Sequence, residues 1–147
     1  YIMMSLLFLT MSLILSPTTI KEVVEEFHAL KTKESEVLFV EKYTLSSQSS
    51  ILGYVCAIEM KQAQYNYNPI SKIKIFKHTK EKLDSLIQSN PSNVHLRYVR
   101  LLLQETSPGI LGYDSNIKED KIFLSKTLDI SDDSDYLDLY IHKNTSL

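Results

Sequence analysis

Ile51-Leu52-Gly53-Tyr54-Val55-Cys56-Ala57-Ile58 decides how this chain folds. It is apolar nearly all round at helical spacing, which marks a helix packed on more than one side. Upstream, Leu45 to Ser50 form a serine-rich turn, and Ser49 or Ser50 is placed to cap this helix. Downstream the helix is expected to run to about Tyr67. Asn68-Pro69 then starts a new one, because proline fits a first helical turn and breaks an interior. That next helix uses Ile70, Ile73, Phe76, Leu83, Leu86 and Ile87 and ends near Asn90-Pro91. A fifth is expected from Ser92 or Asn93 to about Glu105. After the loop Thr106 to Asn116, a sixth covers about Ile117 to Leu128, opened by the box-like Ser115-Asn116-Ile117-Lys118-Glu119.

Towards the N-terminus, Thr19-Ile20-Lys21-Glu22 is a capping box, and Ile20, Val23, Val24, Phe27 and Leu30 keep helical spacing behind it. Lys31 to Glu34 is a polar break. Val37 to Val40 fits a strand or a helix by itself, and the flanking Glu36, Glu41 and Lys42, with Leu45 one turn beyond Glu41, favour a second helix. Asp132 to Asp135 is placed to cap a short last helix carrying Tyr136, Leu137, Leu139, Tyr140 and Ile141. The fold class is therefore all-α, built from antiparallel helix pairs. A proline closing such a pair resembles the tetratricopeptide-like helical arrays. The pair here exceeds the roughly 34-residue period of the strict repeat, so the expectation is a short TPR-like array.

Composition agrees with helix throughout: three glycines, no tryptophan and nine tyrosines suited to half-buried helix seams. The net charge of −2 gives no support to bulk nucleic-acid binding. The lone Cys56 lies in the apolar helix and reads as a small core residue. A single cysteine permits no intrachain disulfide.

The first charged residue is Lys21, and Ile2 to Leu15 is apolar apart from Ser5, Thr10 and Ser12. As a helix these 14 residues extend about 21 Å, short of the ~30 Å hydrocarbon core. The run reads as a signal-type hydrophobic helix, with residues 1–18 as leader and 19–147 as one helical domain. Retained, it would anchor the chain in a membrane. No cysteine follows it closely, which disfavours a bacterial lipid anchor.

Asn90-Pro91-Ser92-Asn93-Val94-His95-Leu96-Arg97-Tyr98-Val99-Arg100, then Pro108-Gly109-Ile110-Leu111-Gly112-Tyr113 and Asn116-Ile117-Lys118-Glu119-Asp120-Lys121, resemble a family of uncharacterised small exported bacterial helical proteins. Tyr65-Asn66-Tyr67-Asn68-Pro69 is similar to the same family, and the likeness covers roughly Leu52 to Leu124. The resemblance implies helical architecture and export to the periplasm or cell exterior, and it supplies no mechanism.

Two groups of residues stand out as candidate sites. Arg97 and Arg100 share one side of an otherwise apolar helix, with Gln104 one turn on. Two guanidiniums there need partners. Either they pair internally with Glu59, Glu105, Glu119 or Asp120, which is the expectation, or they form an anion clamp for a small ligand. In the loop Ser107 to Asp114, Ile110, Leu111 and Tyr113 are too apolar for solvent, and Gly109 and Gly112 allow positive φ on both sides of the Ile-Leu pair. These side chains are expected to tuck onto the bundle, the alternative being a partner-binding edge.

Other features carry less. Lys72, Lys74, Lys77, Lys80 and Lys82 spread around a polar face that reads as solvated, with an anionic lipid surface as the alternative. The acids Asp129 to Asp138 lack the register of an EF-hand. The four histidines are scattered, and no hydrolase, nucleotide or zinc motif occurs, so no cofactor or metal is expected. The sequence thus favours a non-enzymatic exported module binding an envelope protein or peptide. A ligand-binding protein or enzyme around Arg97 and Arg100, and a membrane-tethered structural protein, are the alternatives.

Overall fold

The computed structural model describes residues 18–147; the apolar run Ile2 to Leu15, with the leader reading attached to it, lies outside the described residues. Among the described residues the chain is all-helical, with seven α-helices and no strand: α1 (Ile20–Ala29), α2 (Lys33–Tyr43), α3 (Ser49–Gln62), α4 (Pro69–Ser89), α5 (Val94–Thr106), α6 (Ile117–Leu128) and α7 (Asp138–Asn144). None of them is long and apolar enough to cross a membrane.

Local hydrogen bonding explains where the helices start. The Thr19 Oγ1 accepts from the Glu22 N–H at 3.3 Å, and the Thr19 N–H donates to Glu22 Oε2 at 3.1 Å, so α1 opens in the expected capping box. α2 opens in a second box. The Thr32 Oγ1 accepts from the Ser35 N–H at 3.1 Å, and the Thr32 N–H donates to Ser35 Oγ at 3.2 Å. The expected polar break between α1 and α2 thus falls at Leu30 to Thr32, and Lys33 and Glu34 already belong to α2. Serine at the third helical position does the work usually given to glutamate or glutamine.

α3 is the hub of the bundle. It packs against α1, α2, α4 and α5, and Ile51 and Gly53 to Ile58 are all buried. An apolar surface on every side thus meets a neighbour on nearly every side. Ser49 and Ser50 do not cap it. The N-cap is Gln48 with no side-chain bond, and the two serines serve the α4–α5 turn instead. Asn90 Nδ2 donates to Ser49 Oγ at 3.2 Å, and Asn93 Nδ2 donates to Ser50 Oγ at 2.8 Å. These bonds tie the start of α3 to the end of α4, which sets the two helices antiparallel.

α3 ends at Gln62, short of the expected Tyr67, and passes into a 3₁₀ turn at Ala63–Tyr65. Asn68 has to leave the helical region because it precedes Pro69, and its φ of −85° and ψ of 116° comply. Its Oδ1 then accepts from the N–H groups of Ile70 and Ser71 at 2.9 and 3.3 Å and caps α4.

α6 lies antiparallel to α5. Gln104, near the end of α5, meets Asn116 at the start of α6, while Arg97 and Arg100 meet α6 further along. A 3₁₀ turn at Asp135–Leu137 leads into α7. The acids before it do not cap the helix. Asp132 Oδ1 accepts from the Ser134 N–H at 2.7 Å and Asp135 Oδ1 from the Asp132 N–H at 2.9 Å, so they shape the turn ahead of α7. The core runs through all seven helices, from Val23 and Val24 to Leu137 and Ile141.

Candidate functional site

Arg97 and Arg100 are buried and paired inside the protein. Arg100 grips Asp120 with two bonds, Nε to Oδ2 at 2.6 Å and Nη2 to Oδ1 at 2.7 Å. Arg97 Nη1 donates to Glu119 Oε1 at 2.6 Å and Asp120 Oδ1 at 3.0 Å, and its Nε and Nη2 donate to the Pro91 carbonyl at 3.0 and 2.9 Å. The Arg97 hydrogen bond holds the Glu119 carboxyl below its usual range. Neither arginine lines the groove described below. The anion clamp, and with it a ligand pocket around Arg97 and Arg100, is therefore corrected to an internal ion-pair cluster. A charge buried on a helix finds its counter-ion on the helix packed against it.

Gln104 is also internal. Its Nε2 donates to Asn116 Oδ1 at 3.0 Å, and its Oε1 accepts from the Asn116 N–H at 3.1 Å. Asn116 makes no side-chain cap of its own, so Gln104 pins the entry of α6 from across the helix pair.

The apolar loop divides. Tyr113 tucks in as expected and is buried, its ring edge-on to Phe76 at 5.5 Å between centroids. Ile110 and Leu111 do not tuck in; they are 95% and 39% exposed. The cause is the backbone. Gly109–Leu111 forms a 3₁₀ turn that ends on Gly112 at φ 60°, a left-handed conformation suited to glycine. That reversal sends Tyr113 inward and leaves Ile110 outside. Gly109 does not use positive φ.

Ile110 and Leu111 stand on the lip of a groove of about 870 Å³. Buried Ala57 and Ile58 of α3 and Leu103 of α5 form its floor. α1 contributes Phe27, His28 and Leu30, and α4 contributes Lys72, Ile73 and Phe76. The volume falls in the range of small-molecule and cofactor sites, and the lining is predominantly apolar. No carboxylate lines it; its charged side chains are Lys61 and Lys72. The loop edge of this groove was legible in the sequence and its walls were not. Ile73 and Phe76, nearly one turn apart on α4, were the available signal.

Two histidine–tyrosine clusters join distant parts of the chain, and His28 of the first also lines the groove. The His28 Nε2 sits 3.0 Å from the Tyr98 hydroxyl, and its ring stacks on Tyr140 at 4.2 Å. His95 is held at both ring nitrogens, Nδ1 at 2.8 Å from the Tyr54 hydroxyl and Nε2 at 3.1 Å from that of Tyr136. Burial pushes both histidines down to about 4, with Lys143 adding to the effect on His28. They are neutral near pH 7, and their bonds join α1, α3, α5 and the C-terminal elements. Cys56 is buried and its thiol is pushed up to about 12 by that burial, so it is not a nucleophile. Among the described residues no group of three or more histidine, cysteine or acidic side chains is placed to hold a metal ion. No family model matches the chain, and no curated protein or solved structure matches it.

Proposed function

We propose that this chain is a non-enzymatic interaction module, a short TPR-like helical array exported to the bacterial envelope, that binds another protein or a peptide in the groove between α1, α3, α4 and α5. The observation that carries this reading is the division of the 107–114 loop. One apolar side chain, Tyr113, is buried, while Ile110 is held in water at 95% exposure beside an apolar groove. Covering a side chain of that size contributes about 1.5–3 kcal/mol, which is favourable for a complex and wasted on a monomer. The antiparallel pairs α3/α4 and α5/α6, joined by the Asn90-Pro91 turn, support the array reading. Export rests on the Ile2 to Leu15 run.

An affinity capture from envelope extracts tests the binding reading. Wild type is expected to retain a partner that the Ile110→Asp, Leu111→Asp variant loses. Both positions are exposed, so the variant keeps its fold, and circular dichroism checks that. Identical recovery by the two proteins ends the case for the groove. Mass spectrometry of the mature N-terminus tests export separately: a chain starting near Thr18 to Lys21 is the expected result, and an intact Tyr1 region in the mature protein removes the cleaved leader.

A further inference from the structure

The partner's chemistry follows from what lines the groove, on the reading that the groove is the binding site. Its charged side chains are two lysines, with no carboxylate. Lys61 is engaged by the buried carboxylate of Glu36, whereas Lys72 is exposed and has no carboxylate within 4 Å among the described residues. The half of α4 that walls the groove extends the same sign. Before its first acid, Glu81, α4 places Lys72 in the groove lining and Lys80 two turns on, over the ring of Tyr113 in the loop, while Lys74 lines a separate hollow with Glu59. A chain with a net charge of −2 thus places Lys72 and Lys80 at the edge of this apolar groove. Such charges attract anions and repel cationic partners.

The size and edge of the groove specify the shape of the occupant. The groove of about 870 Å³ is open to solvent, and a helix about 10 Å wide can lay one face into it. Ile73 on α4 and Ile110 and Leu111 on the loop offer separate apolar contacts along the lip, as the anchors of an amphipathic helix require. We infer that the groove receives an acidic amphipathic α-helix of a partner protein, with its apolar face on Ile58, Leu103 and Ile110 and its carboxylates on Lys72 and Lys80.

Two fluorescein-labelled model peptides test this against the full chain by fluorescence anisotropy. Both carry leucine at i, i+3, i+4 and i+7; one has glutamate at the flanking positions and the other lysine. The glutamate peptide is expected to bind at least about tenfold more tightly, with an affinity that falls as salt is raised. Lys72→Glu should shrink that preference, and Ile110→Asp should weaken the glutamate peptide by about tenfold. Thermal melts of both variants confirm folding, since both positions are exposed. Equal affinities for the two peptides, both lost in Ile110→Asp, overturn the acidic partner and leave the groove standing. Binding of neither peptide, or binding indifferent to Ile110→Asp, overturns the groove as well. A long-chain fatty acid that displaces the peptide at lower concentration than the unlabelled peptide itself makes an acyl chain the occupant and overturns the helix. Self-association that Ile110→Asp abolishes makes a second copy of the chain the occupant, with the same consequence.

Discussion

Asp120 is fully buried and accepts from two guanidiniums, while its neighbour Glu119 is 59% exposed and accepts from Arg97 at 2.6 Å. The two carboxylates sit side by side on α6 with very different consequences. Removing the Asp120 charge strands Arg100 in the interior, and breaking a buried pair in this way costs about 3–5 kcal/mol. Glu119 faces water that can replace it, and an exposed pair contributes about 1 kcal/mol or less. Asp120→Asn is therefore expected to lower the urea midpoint severely and Glu119→Gln only slightly. Equal effects would show that the cluster does not hold α5 to α6. The sequence carried half of this. Arg97 and Arg100 on an apolar helix demanded partners, and Glu119 and Asp120 were two of four acids available. Nothing in the spacing could select them, because the choice depends on α6 folding back along α5. Gln104 shows the same limit: it shares a face with the arginines, yet its role is fixed by Asn116 across the helix pair.

At the scale of the elements, the most legible helix was the one with the strongest environment. The apolar girdle of α3 required neighbours on several sides, and four helices supply them. The Thr19 box and the Asn68-Pro69 start were equally readable, since each satisfies orphan N–H groups locally. The failures had two causes, one local and one across the bundle. The α2 box uses Ser35 where a glutamate is usual, and Ser49 and Ser50 look like caps but bond across to Asn90 and Asn93. Gly53 explains how closely α3 meets α5. A Cβ there would stand 2.5 Å from Leu96 Cδ2, and Leu96 is wholly buried. Gly53→Val adds branched volume at that contact and should destabilise by about 1–3 kcal/mol through overpacking, outweighing the helical cost of glycine itself. Denaturant unfolding measures it. If Gly53→Val is as stable as wild type, the close approach of α3 and α5 is not a constraint. The loop edge of the groove belongs to this scale too. Its apolar composition and the positive φ open to Gly112 were both visible, but which side chain the turn would send outward was not.

Across the whole molecule, polar bonds join parts of the chain that are far apart in sequence. His95 links α3 through Tyr54 to the turn before α7 through Tyr136. His28 on α1 meets Tyr98 on α5 and stacks on Tyr140 of α7. Both histidines are lowered from 6.5 to about 4, by burial above all. In the unfolded chain each takes up a proton near pH 6.5, while in the folded chain each stays neutral until about pH 4. The unfolded state then binds more protons between these values, so stability is complete above about pH 6.5 and declines as the pH falls towards 4. Each withheld proton changes the unfolding free energy by about 1.4 kcal/mol per pH unit. His95, only 8% exposed, should approach that slope; His28 is half-buried, and solvent reduces its share. Urea unfolding at a series of pH values from 7 to 4 reads the sum. Carboxylates such as Glu119, whose pKa is lowered, also lose stabilising charge towards the acid end, so the total slope alone does not identify the histidines. The comparison with His95→Gln does. Glutamine offers the tyrosine hydroxyls a donor and an acceptor and does not titrate, so whatever stability it loses at pH 7, its decline towards pH 4 should be shallower by up to about 1.4 kcal/mol per unit. Parallel pH profiles for wild type and His95→Gln would mean that His95 takes up its proton in the folded state, and that the Tyr54 and Tyr136 bonds do not depend on its neutral ring.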